Sequence, residues 1–252
     1  MRMLILAVAG VALVTATKGA GQGSAPARST EELKAGQENA VAKEATLQGV
    51  CLDLQAHTNL SLEQGTSLLP DNNLAELPRG DQVFAGVQFH VGDRYIQLGS
   101  KSHKAPTEVK GIPVNQNAEA LLFFHGTRNG ADEKNHVEEG DGVGDYRVHY
   151  EDGTTETIPI IYGEDVRDWW SWGGKPNVSR GAIGWTGQSK MSREYKQDIH
   201  LYVMSWKNPH PEKKVTTLDY LSTATGPAAP FCVAITVTPR PMDAPAAKDA
   251  KP

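Results

Sequence analysis

Residues 146–161 have the sequence YRVHYEDGTTETIPII, in which Asp152-Gly153 separates two runs rich in β-branched and aromatic side chains. Such runs are typical of strands, and Asp-Gly suits the two positive-φ positions of a type I′ turn, so we expect a β-hairpin. Pro159 has no backbone N–H to donate. The second strand of the hairpin is therefore expected at the edge of a sheet, or bulged at that residue.

Further segments on both sides of the hairpin have the composition of strands, and turn-forming residues separate several of them. They are residues 87–91, 95–98, 109–114, 120–125, 181–186, 199–206, 215–221 and 231–237. No helical period and no fixed repeat occurs between them, which predicts an all-β fold built as one antiparallel sandwich. The unbroken apolar run Leu121–Phe124 indicates a strand covered on both faces, and strands 199–206 and 215–221 should also be largely covered.

The N-terminal residues have the pattern of a signal peptide. Arg2 precedes an apolar run from Leu4 to Val14, and small residues suited to cleavage follow by Ala20. The run is too short to cross a bilayer, so we expect an exported protein, periplasmic or extracellular, without a membrane span.

The rest of the chain divides by composition. Residues 21–47 are expected to be a spacer or a short helix that begins at the capping-box spacing Ser29–Glu32. Residues 48–238 should form the sandwich domain. The proline-rich residues 239–252 are expected to be a disordered tail.

The charge of the chain disfavours some partners. Its formal net charge is -5 at pH 7, and no run of Lys or Arg is longer than two residues. Proteins that bind phosphate backbones usually present a basic patch, so no nucleic-acid partner is expected. Acidic substrates are also disfavoured by the negative field.

The two cysteines, Cys51 and Cys232, lie at opposite ends of the predicted domain. An exported protein can form a disulfide, provided that the first and last strands are neighbours. Two separately buried thiols are the alternative, and the sequence leaves both open.

The common catalytic motifs are missing from the sequence: there is no G-x-S-x-G, HExxH or P-loop, and no two histidines occur as H-x-H. We therefore predict no catalytic residue, no metal site and no cofactor. Residues 132–145 are rich in acids that could offer oxygen ligands to calcium, although their spacing is not that of an EF-hand. A solvated acidic loop is the alternative.

Residues 162–172, YGEDVRDWWSW, contain three of the five tryptophans, preceded by acids and an arginine. Indole rings stack on the C–H faces of sugars, while carboxylates and guanidinium groups hydrogen-bond to sugar hydroxyls. Neighbouring residues of an extended chain face opposite sides, so Trp169 or Trp170 should lie in the core. The candidate carbohydrate contacts are Asp165, Arg167, Asp168, Trp169, Trp170 and Trp172.

Two other interpretations of this segment remain open. The tryptophans could close one end of the sandwich, with Arg167 paired to Asp165 or Asp168. A glycosidase using Glu164 or Asp168 would need two separated carboxylates across a cleft. Three acids within five residues beside an arginine are more typical of an ion-pair network.

The hairpin, followed by YGEDVRDWW at 162–170 and WKNPHP at 206–211, resembles secreted bacterial β-sandwich modules of the galactose-binding-like type, over roughly residues 50–238. The resemblance implies a jelly-roll sandwich of the kind found beside polysaccharide-acting or cell-surface domains, and it names no ligand. We therefore expect an exported, non-catalytic module that binds a polysaccharide or another cell-surface polymer. The alternative is a structural or protein-interaction domain of the cell envelope, whose hairpin edge pairs with a partner.

Overall fold

The computed structural model describes residues 46–65, 69–131, 136–172, 174 and 176–238. The predicted signal peptide, the predicted tail and all but the last two residues of the predicted spacer lie outside these ranges. The regular secondary structure of the described residues is almost all strand, apart from one 3-10 turn at Gln55–His57 and one short helix, α1 (Lys190–Glu194). The strands are β1 (Val50–Cys51), β2 (Leu60–Ser61), β3 (Gly80–Phe84), β4 (Val87–Val91), β5 (Arg94–Gln97), β6 (Glu108–Asn117), β7 (Ala120–Arg128), β8 (Gly142–Tyr150), β9 (Thr155–Ile161), β10 (Ala182–Gly187), β11 (Ile199–Lys207), β12 (Lys214–Ser222) and β13 (Ala229–Thr238).

The predicted hairpin is confirmed as strands β8 and β9, but the type I′ turn is wrong. Only Gly153 has a positive φ, 82°, and the Gly153 N–H donates to the Tyr150 carbonyl at 3.0 Å. The loop is therefore one residue longer than expected: a turn closed between Tyr150 and Gly153, with the glycine in the left-handed region. The Asp152 side chain stabilises this loop by accepting from the Thr154 N–H at 2.9 Å.

Two antiparallel sheets form the body of the domain. The larger has seven strands in the order β10-β11-β7-β13-β5-β2, and β1 also pairs with β13. The smaller has four strands in the order β6-β12-β8-β9. Strand β9 is an edge strand, as its Pro159 predicts.

The two sheets pack face to face around an inner core. Alternate side chains of each sheet point into it, including Ile96, Ile112, Phe123, Val148, Leu218 and Ile235. This arrangement confirms the predicted sandwich at the level of a two-layer all-β fold.

The opposite face of the seven-stranded sheet is also buried, in an outer core. Phe124 of β7 stacks there on Phe84 of the β3–β4 hairpin at 4.4 Å between ring centres. Because both faces are covered, every residue of β7 is buried, which confirms the interpretation of Leu121–Phe124. Strand β11 is likewise buried over its first six residues. Trp169 and Trp170 belong to this outer core, which places the tryptophan segment on that side of the sheet.

The cysteines are free thiols, so the disulfide alternative is wrong for this structure. The first and last strands are neighbours, as that alternative required, with Cys51 opposite Thr236. Thr236 donates to the Gln88 carbonyl of β4, whereas Cys232 lies in the inner core. The two thiols are therefore on opposite faces of the sheet, and no disulfide can join them.

Candidate functional site

The tryptophan segment fills the gap where strands β7 and β11 separate. The Trp169 N–H donates to the Thr127 carbonyl at the end of β7, at 2.8 Å. The Trp169 carbonyl accepts from the His200 N–H at the start of β11, at 2.7 Å. Residues 168–170 are thus held on both sides by backbone hydrogen bonds, which fixes the side chains that they carry.

The turn before this segment depends on Asp165, which is fully buried. Its carboxylate accepts from the Ile161 N–H at 2.8 Å and pairs with Arg180, whose Nε lies 2.7 Å from Oδ1. Gly163 has a φ of 84° within the same turn, where glycine is favoured. Asp165 is therefore a structural residue that no ligand can reach.

Arg167 points away from the tryptophans. Its Nη2 donates to Glu139 at 3.0 Å, and its Nε donates to the Asn177 carbonyl at 2.7 Å. The expected pairing of Arg167 with Asp165 or Asp168 is wrong. The ion-pair network does exist, but Arg180 supplies the cation for Asp165 and also lies 3.4 Å from Glu164.

Asp168 joins the two walls of a cleft. One carboxylate oxygen accepts from the Gly130 and Ala131 N–H groups at 2.6 and 3.3 Å, and the other accepts from the Trp170 N–H at 2.9 Å. Burial raises the pKa of Asp168 from 3.8 to about 6, although these N–H donors and Arg128 act in the opposite direction. The carboxylate thus connects the 130–131 loop to the tryptophan segment.

Trp169 is buried and covers a buried cation. The Arg128 guanidinium lies over its ring, and that guanidinium donates to the Gln97 side chain at 2.9 Å and to the Tyr95 hydroxyl at 2.7 Å. Trp169 thereby closes the base of the cleft, and it contributes to the outer core more than to any exposed surface.

Three aromatic rings form one wall of the cleft, which we call the aromatic wall: Trp172, Trp170 and Tyr195. Trp170 is the middle ring, with centroids 5.0 Å from Trp172 and 5.7 Å from Tyr195. Trp170 is 4% exposed and its indole N–H donates to the Asn72 side chain at 3.0 Å. The outer rings are open to solvent, since Trp172 is 52% and Tyr195 56% exposed.

The cleft has a volume of about 620 Å³, within the range of small-ligand sites. Besides the aromatic wall, Trp169 and Asp168, its described lining comprises Leu69, Asn72, Asn129, Ala131 and Met191. Two of the lining residues have a positive φ, Asn129 at 59° and Trp172 at 26°. Such backbone strain is found preferentially at functional sites.

The cleft brings together four of the six predicted contact residues, Asp168 and the three tryptophans, and leaves out Asp165 and Arg167. The prediction that at least one of the adjacent tryptophans is core is confirmed, since both are buried. Asn72, Asn129 and Tyr195 also line the cleft and are not among the residues predicted from the sequence. Asn129 precedes a glycine, which is a turn signal, but Asn72 and Tyr195 have no local pattern that marks them.

The acidic loop is only partly described, because residues 132–135 lie outside the described ranges. Among its described acids, Glu138 contacts His136 at 2.7 Å and Glu139 pairs with Arg167. No cluster of three or more His, Cys, Asp or Glu side chains suited to a metal ion occurs in the described part of the chain. Over the same residues, no helix has both the length and the apolar character needed to traverse a bilayer.

Comparison with models of protein families, with curated proteins and with solved structures finds no match to this chain.

Proposed function

We propose that the protein is an exported, non-catalytic sandwich domain that binds carbohydrate, or a related cell-surface polymer, in the cleft beside Trp172. The observation that carries the proposal is the pair of half-exposed rings, Trp172 and Tyr195, on either side of Trp170. Burying large aromatic rings is favourable, so rings held open to water at a cleft suggest a ligand that covers them. Sugar rings have apolar C–H faces of suitable shape.

Amide side chains support the same ligand class. The Asn129 side chain makes no hydrogen bond to another described residue, and Asn72 uses its Oδ1 for the Trp170 indole. Amides can both donate to and accept from hydroxyl groups. The jelly-roll connectivity, the galactose-binding-like relationship and export through residues 1–20 are part of the proposal.

A titration of tryptophan fluorescence with a panel of soluble polysaccharides tests the function. A responding polysaccharide should bind Trp172→Ala at least tenfold more weakly, because about 1.4 kcal/mol corresponds to tenfold in affinity and a stacked aromatic ring contributes about this much. Val83→Ala is the control, since Val83 is 54% exposed but lies outside the cleft. No response across the panel, or equal loss in both variants, would contradict the proposal.

The envelope-interaction alternative depends on strand β9 as an edge that pairs with a partner. Strand β9 is an edge, but Pro159 offers no amide and interrupts the pairing surface. The cleft is therefore the better candidate for the protein's binding surface.

A further inference from the structure

We infer that the cleft accommodates two consecutive sugar units of an uncharged glycan. This inference rests on the proposed function and specifies its ligand.

No lysine, arginine or histidine is among the described residues that line the cleft. The one carboxylate among these described lining residues, that of Asp168, has both oxygens engaged by backbone N–H groups. The nearby cations of helix α1, Lys190 and Arg193, pair with Asp71 and Glu76. Among the described lining residues a uronate, sulfate or phosphate group would find no cation, and it would approach the buried Asp168 carboxylate, so we expect an uncharged ligand.

The aromatic wall has two stacking positions instead of one. Trp172 and Tyr195 are both half exposed, and the buried Trp170 lies between them as a spacer. A single pyranose ring covers one aromatic ring, so one sugar unit leaves the other exposed ring uncovered. A second sugar unit of the same glycan would cover that ring without the entropy cost of binding a separate molecule.

Isothermal titration calorimetry with matched neutral series tests this inference. The probes are glucose, cellobiose and cellotriose, with the corresponding mannose and galactose series. We expect at least tenfold tighter binding of the disaccharide than of the monosaccharide, and little further gain for the trisaccharide. Oligogalacturonides of the same lengths should bind more weakly than their neutral counterparts.

Two substitutions test whether Tyr195 provides the gain in affinity from the monosaccharide to the disaccharide, which we call the disaccharide increment. Tyr195→Ala should reduce disaccharide affinity to the level of the monosaccharide, while Tyr195→Phe, which keeps the ring, should restore the increment. Val83→Ala should leave both affinities unchanged. Saccharide binding without a disaccharide increment, or a preference for the oligogalacturonides, would overturn this inference and leave the proposed function intact. No saccharide binding at all would refute the proposed function itself.

A different observation carries a second inference: we propose that ordered water lies in the inner core. Tyr202, His125 and Cys232 are successive cross-strand partners in the large sheet, and they face the partnered pair Tyr146 and Tyr220 of the small sheet. All five are buried. His125 Nδ1 lies 3.2 Å from the Tyr146 hydroxyl, but His125 Nε2 and the Tyr202 hydroxyl have no hydrogen-bond partner in the described chain. Buried polar groups of this kind are usually satisfied by internal water.

Tyrosine-to-phenylalanine substitutions test for this water by the sign of their effect. If water bridges these groups, Tyr202→Phe should lower Tm by about 2–4 °C, as a lost hydrogen bond does in a domain of this size. Tyr150→Phe calibrates the scale, since the Tyr150 hydroxyl donates directly to Asn208 at 2.6 Å. An unchanged or raised Tm in Tyr202→Phe, or the absence of long-lived water in oxygen-17 relaxation dispersion, would overturn this second inference.

Discussion

The guanidinium carbon of Arg128 lies 3.7 Å from the centre of the Trp169 ring, and both side chains are buried. Within the described chain no carboxylate lies within 4.0 Å of this cation, which is instead bonded to the neutral groups of Gln97 and Tyr95. A buried cation without a close counter-ion depends on the ring face and on hydrogen bonds for its stabilisation. Arg128 therefore supports the base of the cleft from below.

Arg128→Lys should lower the free energy of unfolding by about 2–3 kcal/mol, because an ammonium group lacks the planar fork that reaches Gln97 and Tyr95 and stacks on Trp169. Urea unfolding followed by tryptophan fluorescence measures the change. Arg147→Lys on the exposed face of β8 is the control and should change stability by less than about 0.5 kcal/mol. Equal stabilities of the two variants would contradict this role of Arg128.

Asp168 should make the fold less stable as the pH rises. Its pKa is raised from 3.8 to about 6 in the folded protein, so the folded state binds a proton more tightly than the unfolded state. The resulting contribution is present below pH 4 and is lost as the pH rises through 6, by about 3 kcal/mol in all. The stability of the wild type relative to Asp168→Asn should therefore fall by about this amount between pH 4 and pH 7.5 in urea titrations. A constant difference over that range would show that Asp168 has an ordinary pKa.

Arg180→Met should lower the free energy of unfolding by about 2–4 kcal/mol, because it leaves the fully buried Asp165 carboxylate without its cation. The outer part of Arg180 is exposed, which keeps the effect below that of a wholly buried pair. Arg193→Met breaks the exposed pair with Glu76 and should cost less than about 1 kcal/mol. Thermal unfolding of the two variants compares the sites directly, and the reverse order would contradict the assignment.

The two cysteines should both react with iodoacetamide in denaturant without prior reduction, since they are free thiols. In the native protein Cys232 should stay unmodified, because it is fully buried and burial raises the pKa of its thiol to about 12. Intact-mass measurement counts the labels. A mass showing no label before reduction and two after it would restore the disulfide.

Most strands could be predicted from local composition, because apolar and β-branched runs between turn residues need no distant partner to be recognised. Strand β3 was missed since its sequence, GDQVF, has only two apolar residues and depends on the neighbouring β4 for its pairing. The turn of the β8–β9 hairpin was mispredicted because Asp-Gly fits both a two-residue and a three-residue loop. Local sequence does not distinguish them.

The candidate site could be predicted only in part, because some of its residues lie far from the tryptophan segment in the sequence. The tryptophans form a conspicuous local cluster, but the amide that holds Trp170 comes from Asn72, 98 residues earlier. The exposed partner ring, Tyr195, follows a five-residue helix that composition did not indicate. Asp165 likewise does not line the cleft, because it pairs with Arg180, a residue outside the segment.

Strand β13 is the last described strand in the chain, yet it lies in the interior of the large sheet, between β7 on one side and β5 and β1 on the other. Every one of its ten residues is buried. During synthesis, the large sheet therefore cannot form completely until residues 229–238 have left the ribosome. A nascent chain without these residues lacks the strand with which both β5 and β1 pair. The two sides of the large sheet are thus joined only after residues 229–238 have been made.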